Sequence, residues 1–171
     1  MILLVIRMVL SAVFLALICF TDLKSSVIRN NTVLSFSALG LAASLFDHSI
    51  LSSLIGMIFP LVLLPLFAGG MLGAGDIKAF CCLGAIWGFS MDVRIIVCSF
   101  LAGGVIALVI MLFRGDFIAR IKKIISYLWQ CVIARKLLPY EEDRNGRFRF
   151  AYSIAAGTVI AVIRSVVLKG Q

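Results

Sequence analysis

The chain has 171 residues, of which 63% are hydrophobic and 14% charged, and it carries a net charge of +8. Soluble domains average about 45–50% apolar and about 25% charged residues, so this composition excludes an ordinary soluble domain. It predicts an all-α, polytopic membrane protein of six transmembrane helices, organised as a single membrane-embedded domain over residues 1–171.

The basic residues fall mostly between apolar runs, where they set topology and meet anionic lipid, so nucleic acid is not an expected partner. Five cysteines (Cys19, Cys81, Cys82, Cys98 and Cys131) lie mostly inside apolar stretches without a CxxC pair. They predict neither a disulfide framework nor a zinc site, and no cofactor or metal is expected.

The first span is expected at about 2–20. Arg7 followed by apolar residues resembles a signal peptide, but the run is long for one and no clean cleavage motif follows, so it reads as a retained helix. A short cationic loop, Thr21 to Asn31, carries Asp22, Lys24 and Arg29. The second span, about 32–46, is rich in small residues that favour close helix packing in lipid, and it ends at Asp47-His48. The third, about 50–67, contains Pro60 and Pro65 and is expected to kink.

Next comes Gly73-Ala74-Gly75-Asp76-Ile77-Lys78, a small and charged hexapeptide between two apolar runs. An unpaired carboxyl at the edge of hydrocarbon is costly, which makes Asp76 a candidate functional residue. The fourth span, about 77–91, and the fifth, about 95–113, are expected to be joined by Asp92-Val93-Arg94. Gly103-Gly104 in the fifth reads as helix packing.

Residues 114–149 form the long polar connection, with nine Lys and Arg. Within it Phe117, Ile118, Ile121, Ile124, Ile125, Leu128 and Trp129 recur at helical spacing against Arg120, Lys122 and Lys123. That pattern predicts an amphipathic helix in the membrane interface between helices five and six. The last span is expected at about 150–168. Placing the loops after spans one, three and five in the cytoplasm gives them twelve of the sixteen basic residues, so both termini are expected outside.

This topology puts Asp22, after span one, and Asp76, before span four, at the same membrane face. If those spans are neighbours, the two carboxyls can share a proton and a water, with one ionised as base and the other protonated as acid, the chemistry of an aspartic protease. Asp47 and Asp92 fall on the other side, and Asp116, Glu141, Glu142 and Asp143 lie in the hydrophilic loop. His48, the only histidine, is expected outside and has no nucleophile motif nearby. Structural readings stand beside the catalytic one: Asp76 as the N-cap of the fourth helix, and Asp22 as an interfacial anchor paired with Lys24. Two further functions fit the same residues, a transport or assembly subunit whose aspartates bind a cation or protons, and a lipid-acting enzyme with the basic loop at the headgroups.

The hexapeptide resembles the GxGDxK motif of the type IV prepilin peptidases, membrane aspartyl proteases of the GxGD type. Asp22-Leu23-Lys24, followed by Ile28 and Asn30, is similar to that family's first motif, with Arg29 where the family has proline. Ala151 likewise stands where a proline is expected ahead of Tyr152. The resemblance implies that Asp22 and Asp76 are the catalytic dyad, with Gly73, Gly75, Lys78 and Lys24 as substrate-binding or dyad-supporting residues. It implies an endopeptidase of the bacterial inner membrane that removes the basic leader of a prepilin or pseudopilin precursor at the cytoplasmic face. No counterpart of the paired CxxC motifs of the methylating members is present, so the chain looks like the short form of tight-adherence (Flp) pilus systems.

Overall fold

A computed structural model describes residues 2–25, 29–69, 72–114 and 150–169. The chain divides into two compact units, one made of Met1–Gly103 with Arg149–Gln171 and the other of Gly104–Phe148. Among the described residues every regular element is a helix. These are α1 (Ile2–Ser25), α2 (Asn30–Phe46), α3 (Ile50–Ile58), a 3-10 turn (Phe59–Leu63), α4 (Leu64–Ala68), α5 (Ala74–Trp87), α6 (Phe89–Arg114) and α7 (Ala151–Lys169). The second unit contributes only the end of α6, residues 104–114, to this description.

Three stretches are long and apolar enough to cross a membrane: Ile2–Asp22, Ile50–Ala68 and Phe89–Ile110, with Ala151–Val167 as a shorter apolar helix. α1 shows how the apolar surface is divided. Val5, Val9, Val13 and Leu17, each four apart, point outward, while Phe14, Leu15 and Ile18 are buried. A helix that is apolar on both faces is expected where one side meets protein and the other meets lipid.

The expected kink in the third apolar run is a 3-10 turn. Pro60 and Pro65 stand in the first two positions of the 3-10 turn and of α4. Neither has an N–H to continue an α-helical ladder, so the run breaks there into α3, the turn and α4.

α5 is the centre of the first unit. Of its 14 residues, Ile77, Ala79, Phe80 and every residue from Cys82 to Trp87 are buried. It packs against α1, α2, α3 and the 3-10 turn. The approach to α3 is closest where Gly84 meets Gly56: a methyl group on Gly84 would run into the Gly56 backbone, and one on Gly56 would lie 2.7 Å from the Gly84 carbonyl oxygen. Backbone-to-backbone contact of this kind needs small residues, since association in lipid rests on packing. Rings complete the core. Phe14 meets Phe36 across α1 and α2 at 5.3 Å between centroids, and Phe80, Phe100 and Phe150 join α5, α6 and the residue before α7.

Two expected boundaries move. The hexapeptide is not a loop before a span starting at 77, because α5 already begins at Ala74. The turn between the fourth and fifth apolar segments is not Asp92-Val93-Arg94 but Gly88 alone, whose φ of +80° is open to glycine at little cost. Its N–H donates to the Gly84 carbonyl at 2.8 Å and closes α5, while the Phe89 N–H donates to Ser52 Oγ at 3.2 Å and opens α6. Asp92 therefore lies in the first turn of α6, fully buried, and neither of its carboxyl oxygens is hydrogen-bonded among the described residues. A three-residue charged loop was the natural expectation, because a one-residue helix reversal depends on a backbone angle that composition does not mark.

Of the two adjacent glycines in α6, Gly103 packs on Phe150 and Ser153, whereas Gly104 has no neighbour within 4 Å of where a Cβ would stand. The expected interfacial helix of 114–149 falls on residues outside those described. Gly84→Ala is expected to destabilise the fold by about 1–3 kcal/mol through overpacking. Gly104→Ala is expected to cost nothing, or to stabilise by up to about 1 kcal/mol through helix propensity. Thermal melting of the two purified variants in detergent checks the contrast.

Candidate active site

The end of α1, the start of α2, the start of α5 and the start of α7 meet around the two sequence motifs. α1 continues through Ser25, so Asp22 is a helical residue near its end and not part of a loop. Thr21, beside it, turns its hydroxyl back to the carbonyls of Leu17 and Ile18 at 2.8 and 3.1 Å. Cys19, three residues before Asp22 and so on the same face, points its Sγ at the Ala151 carbonyl 4.0 Å away. That contact brings the beginning of α7 beside the turn that carries Asp22.

Asp76 is set by the start of α5. Gly73 is the N-cap, with φ −80° and ψ 147°, and its carbonyl accepts from the Asp76 N–H at 3.1 Å. Asp76 is the third helical residue, and its Oδ2 accepts from the Gly73 N–H at 3.1 Å. The reading of Asp76 as N-cap is thus replaced by the reciprocal half of a capping box, in which the acidic side chain reaches back to the cap residue. The same bond ties the glycine to the acid: a Cβ on Gly73 would sit 3.0 Å from Asp76 Oδ2.

Burial pushes the Asp76 carboxyl up, the Gly73 N–H pulls it partly back, and the charge of Asp22 raises it further, to about 6 from an ordinary 3.8. Asp22 and Asp76 are therefore within electrostatic reach of each other, as adjacency of α1 and α5 requires. A buried carboxyl beside a second acid is an arrangement in which one group holds a proton while the other is ionised.

Lys78, two residues beyond Asp76, donates from Nζ to Asn30 Oδ1 at 2.9 Å, linking α5 to the first residue of α2. Gly75 is half-buried in the first turn of α5, and Lys24 lies in the last turn of α1 with its side chain outside the described residues. Asp47 is far along α2, where it pairs with Arg7 of α1 at 3.5 Å, and Arg7 also donates to Ser49 Oγ at 3.0 Å. Asp47 has its own partner there and makes no part of the Asp22 and Asp76 cluster. Among the described residues no three His, Cys, Asp or Glu side chains gather as a metal site.

Sequence reasoning missed two features here. Asn30 was visible as a motif residue but not as the partner of Lys78, a pairing across 48 positions. Arg7 was read within the first span and Asp47 at the end of the second, with no pairing expected, yet they pair where α1 passes the end of α2.

The long apolar helices mark an integral membrane protein, and its fold brings two acids within electrostatic reach at one end of the central helix. The chain belongs to the type IV leader peptidase family, whose pattern it matches over residues 9–111. No curated protein and no solved structure matches it. The match runs from α1 to α6 and takes in Asp22, Asn30, Asp76 and Lys78.

Because Asp76 holds its proton more tightly in the folded chain, it contributes stability that is full below pH 3.8 and lost as pH rises through about 6. Asp76→Asn removes this dependence while keeping an acceptor for the Gly73 N–H. The variant is expected to gain melting temperature relative to the parent between those two pH values and to hold the gain above them, as measured by thermal unfolding in detergent across that range.

Proposed function

We propose that this protein is an aspartic endopeptidase of the bacterial inner membrane. It removes the basic leader of a pilin-like precursor at the cytoplasmic face, with Asp22 and Asp76 as the catalytic pair. The observation that carries the reading is the placement of these two acids within electrostatic reach at neighbouring ends of α1 and α5, in a chain of the leader peptidase family. The family match also favours a peptidase over a transport or assembly subunit, and over a lipid-acting enzyme.

In this reading the chain crosses the membrane six times, using α1 to about residue 20, α2, the α3–α4 stretch, α5 from about residue 77, α6 and α7, so that Asp22 and Asp76 lie outside the spans at the cytoplasmic edge. The nine basic residues of 114–149 lie on the cytoplasmic side against anionic lipid. Asp76, raised toward neutrality by burial, carries the shared proton and donates it to the scissile carbonyl oxygen. Asp22 accepts a proton from the attacking water, and the two exchange roles as the tetrahedral intermediate collapses. Gly73 and Gly75 leave room for an extended substrate backbone beside Asp76, and Lys24 and Lys78 support the pair. Precursors of tight-adherence (Flp) pili are the substrate class to test first.

Co-expression of a precursor with Asp22→Asn or Asp76→Asn is expected to leave it uncut, a loss of about 10²-fold or more for removal of either acid–base group. Processing at the parental rate by either variant would end the dyad assignment. Because Asp76 must be protonated, kcat/KM is expected to fall as pH rises through about 6, read in a purified assay over a pH series. Reporter fusions after residues 25 and 73 are both expected to report the cytoplasm, and opposite sides would separate the two acids.

A further inference from the structure

We propose that Asn30 and Lys78 are a positioning pair: they hold the start of α2 against the helix that carries Asp76, and Lys78 serves the dyad through this tether and not through its charge. The inference rests on the peptidase reading for its catalytic consequence, but the tether itself is a statement about structure. The bond, 2.9 Å from Nζ to Oδ1 at an exposed site, has a charged donor, which makes it stronger than a neutral pair in the same setting. It joins α5 to the first residue of α2, so it acts across the sequence gap between the two motifs.

The direction of Lys78 argues against a charge acting on the acids. Asp76 and Lys78 are two residues apart on one helix, about 200° around its axis, so their side chains leave on nearly opposite sides. Asp76 curls back to Gly73 while Lys78 reaches out to α2. Burial, the Gly73 N–H and the charge of Asp22 are the main influences on the Asp76 carboxyl.

Electrostatics alone would not put a lysine here. Its ammonium lies beside the start of α2, the positive end of a helix dipole, where a cation is disfavoured by about 0.3–1 kcal/mol. Asn30 is also used in an unusual way. Asparagine commonly caps its own helix, yet here Arg29 is the cap, with no side-chain bond, and the Asn30 oxygen is given to Lys78. The hydrogen bond is therefore the reason for both residues' placement.

The test uses the full chain in membranes with a precursor substrate and four variants: Asn30→Ala, Lys78→Met, the double variant and Asn30→Asp. Each of the first two is expected to lower kcat about tenfold, the cost of loosening catalytic geometry, with the double variant no slower than the worse single. Asn30→Asp, which offers the same ammonium an oxygen, is expected to retain activity. The alkaline limb of kcat/KM is expected at the parental pH in all four. Limited trypsin digestion, read at Arg29 alone, is expected to speed up several-fold in Asn30→Ala and in Lys78→Met, equally in the double variant, and not in Asn30→Asp.

Multiplying effects in the double variant would overturn the proposal. So would an alkaline limb that moves to higher pH in Lys78→Met while Asn30→Ala works at the parental rate, since that is the signature of a charge acting on the dyad. If the parent protein cuts no precursor, the peptidase reading fails. The trypsin rates still decide the tether, which is refuted if they do not change.

Discussion

The fold depends on the close approach of α5 to α3, where Gly84 and Gly56 meet backbone to backbone. It lets a helix only 14 residues long be enclosed by neighbours on nearly every side. At 1.5 Å per residue α5 spans about 21 Å, less than the roughly 30 Å of a bilayer core, while the 24 residues of α1 reach about 36 Å. A short helix among long ones has at least one end recessed among them. In α5 the enclosed end is the C-terminal one, Cys82 to Trp87, while at its start Gly73, Ala74 and Lys78 are exposed and Asp76 is partly buried.

Burial of an acid has an electrostatic cost, and the chain meets it differently at Asp76, Asp47 and Asp92. Asp76 is held by the Gly73 N–H and by the start of a helix dipole, both of which favour the anion, against burial and Asp22, which favour the proton. Asp47 is half-exposed and paired with a mostly buried Arg7, an arrangement that serves stability. Asp92 has neither support, being enclosed in the first turn of α6 without a hydrogen bond to either oxygen among the described residues. Around Asp76 the influences oppose one another and burial prevails, holding the carboxyl at about 6, in the range that a group exchanging a proton needs.

Much of this was legible from local spacing. The apolar runs, the break at Pro60 and Pro65, and the GxGDxK hexapeptide are local signals, and each lies where the sequence places it, within a few residues. Long-range geometry was harder. The reversal at Gly88 looks like any other glycine in an apolar stretch, because the sign of φ is fixed by what packs around it, here the Ser52 hydroxyl and the Gly84 carbonyl. The charged Asp92-Val93-Arg94 drew the turn toward itself, since burial of an unpartnered carboxyl is costly and therefore rarely expected. The Lys78 bond to Asn30 and the Arg7 pair with Asp47 depend on which helices are neighbours, and composition carries no record of that.

The hexapeptide and the Asp22 motif thus do different work from what their spelling implies. Five of the six residues of Gly73 to Lys78 are helix, so its glycines do not make a flexible loop. Gly73 makes a cap tight enough for the acid to fold back upon it, and a side chain there would press on the carboxylate. Asp22 likewise belongs to a helix and not to the polar segment that follows. Two acids on helix ends, each fixed by its own backbone, are better suited to share a proton than two acids on loops, because the distance between them is set by packing of α1 against α5. The bond from Lys78 to Asn30 then adds one further anchor, between the start of α5 and the first residue of α2.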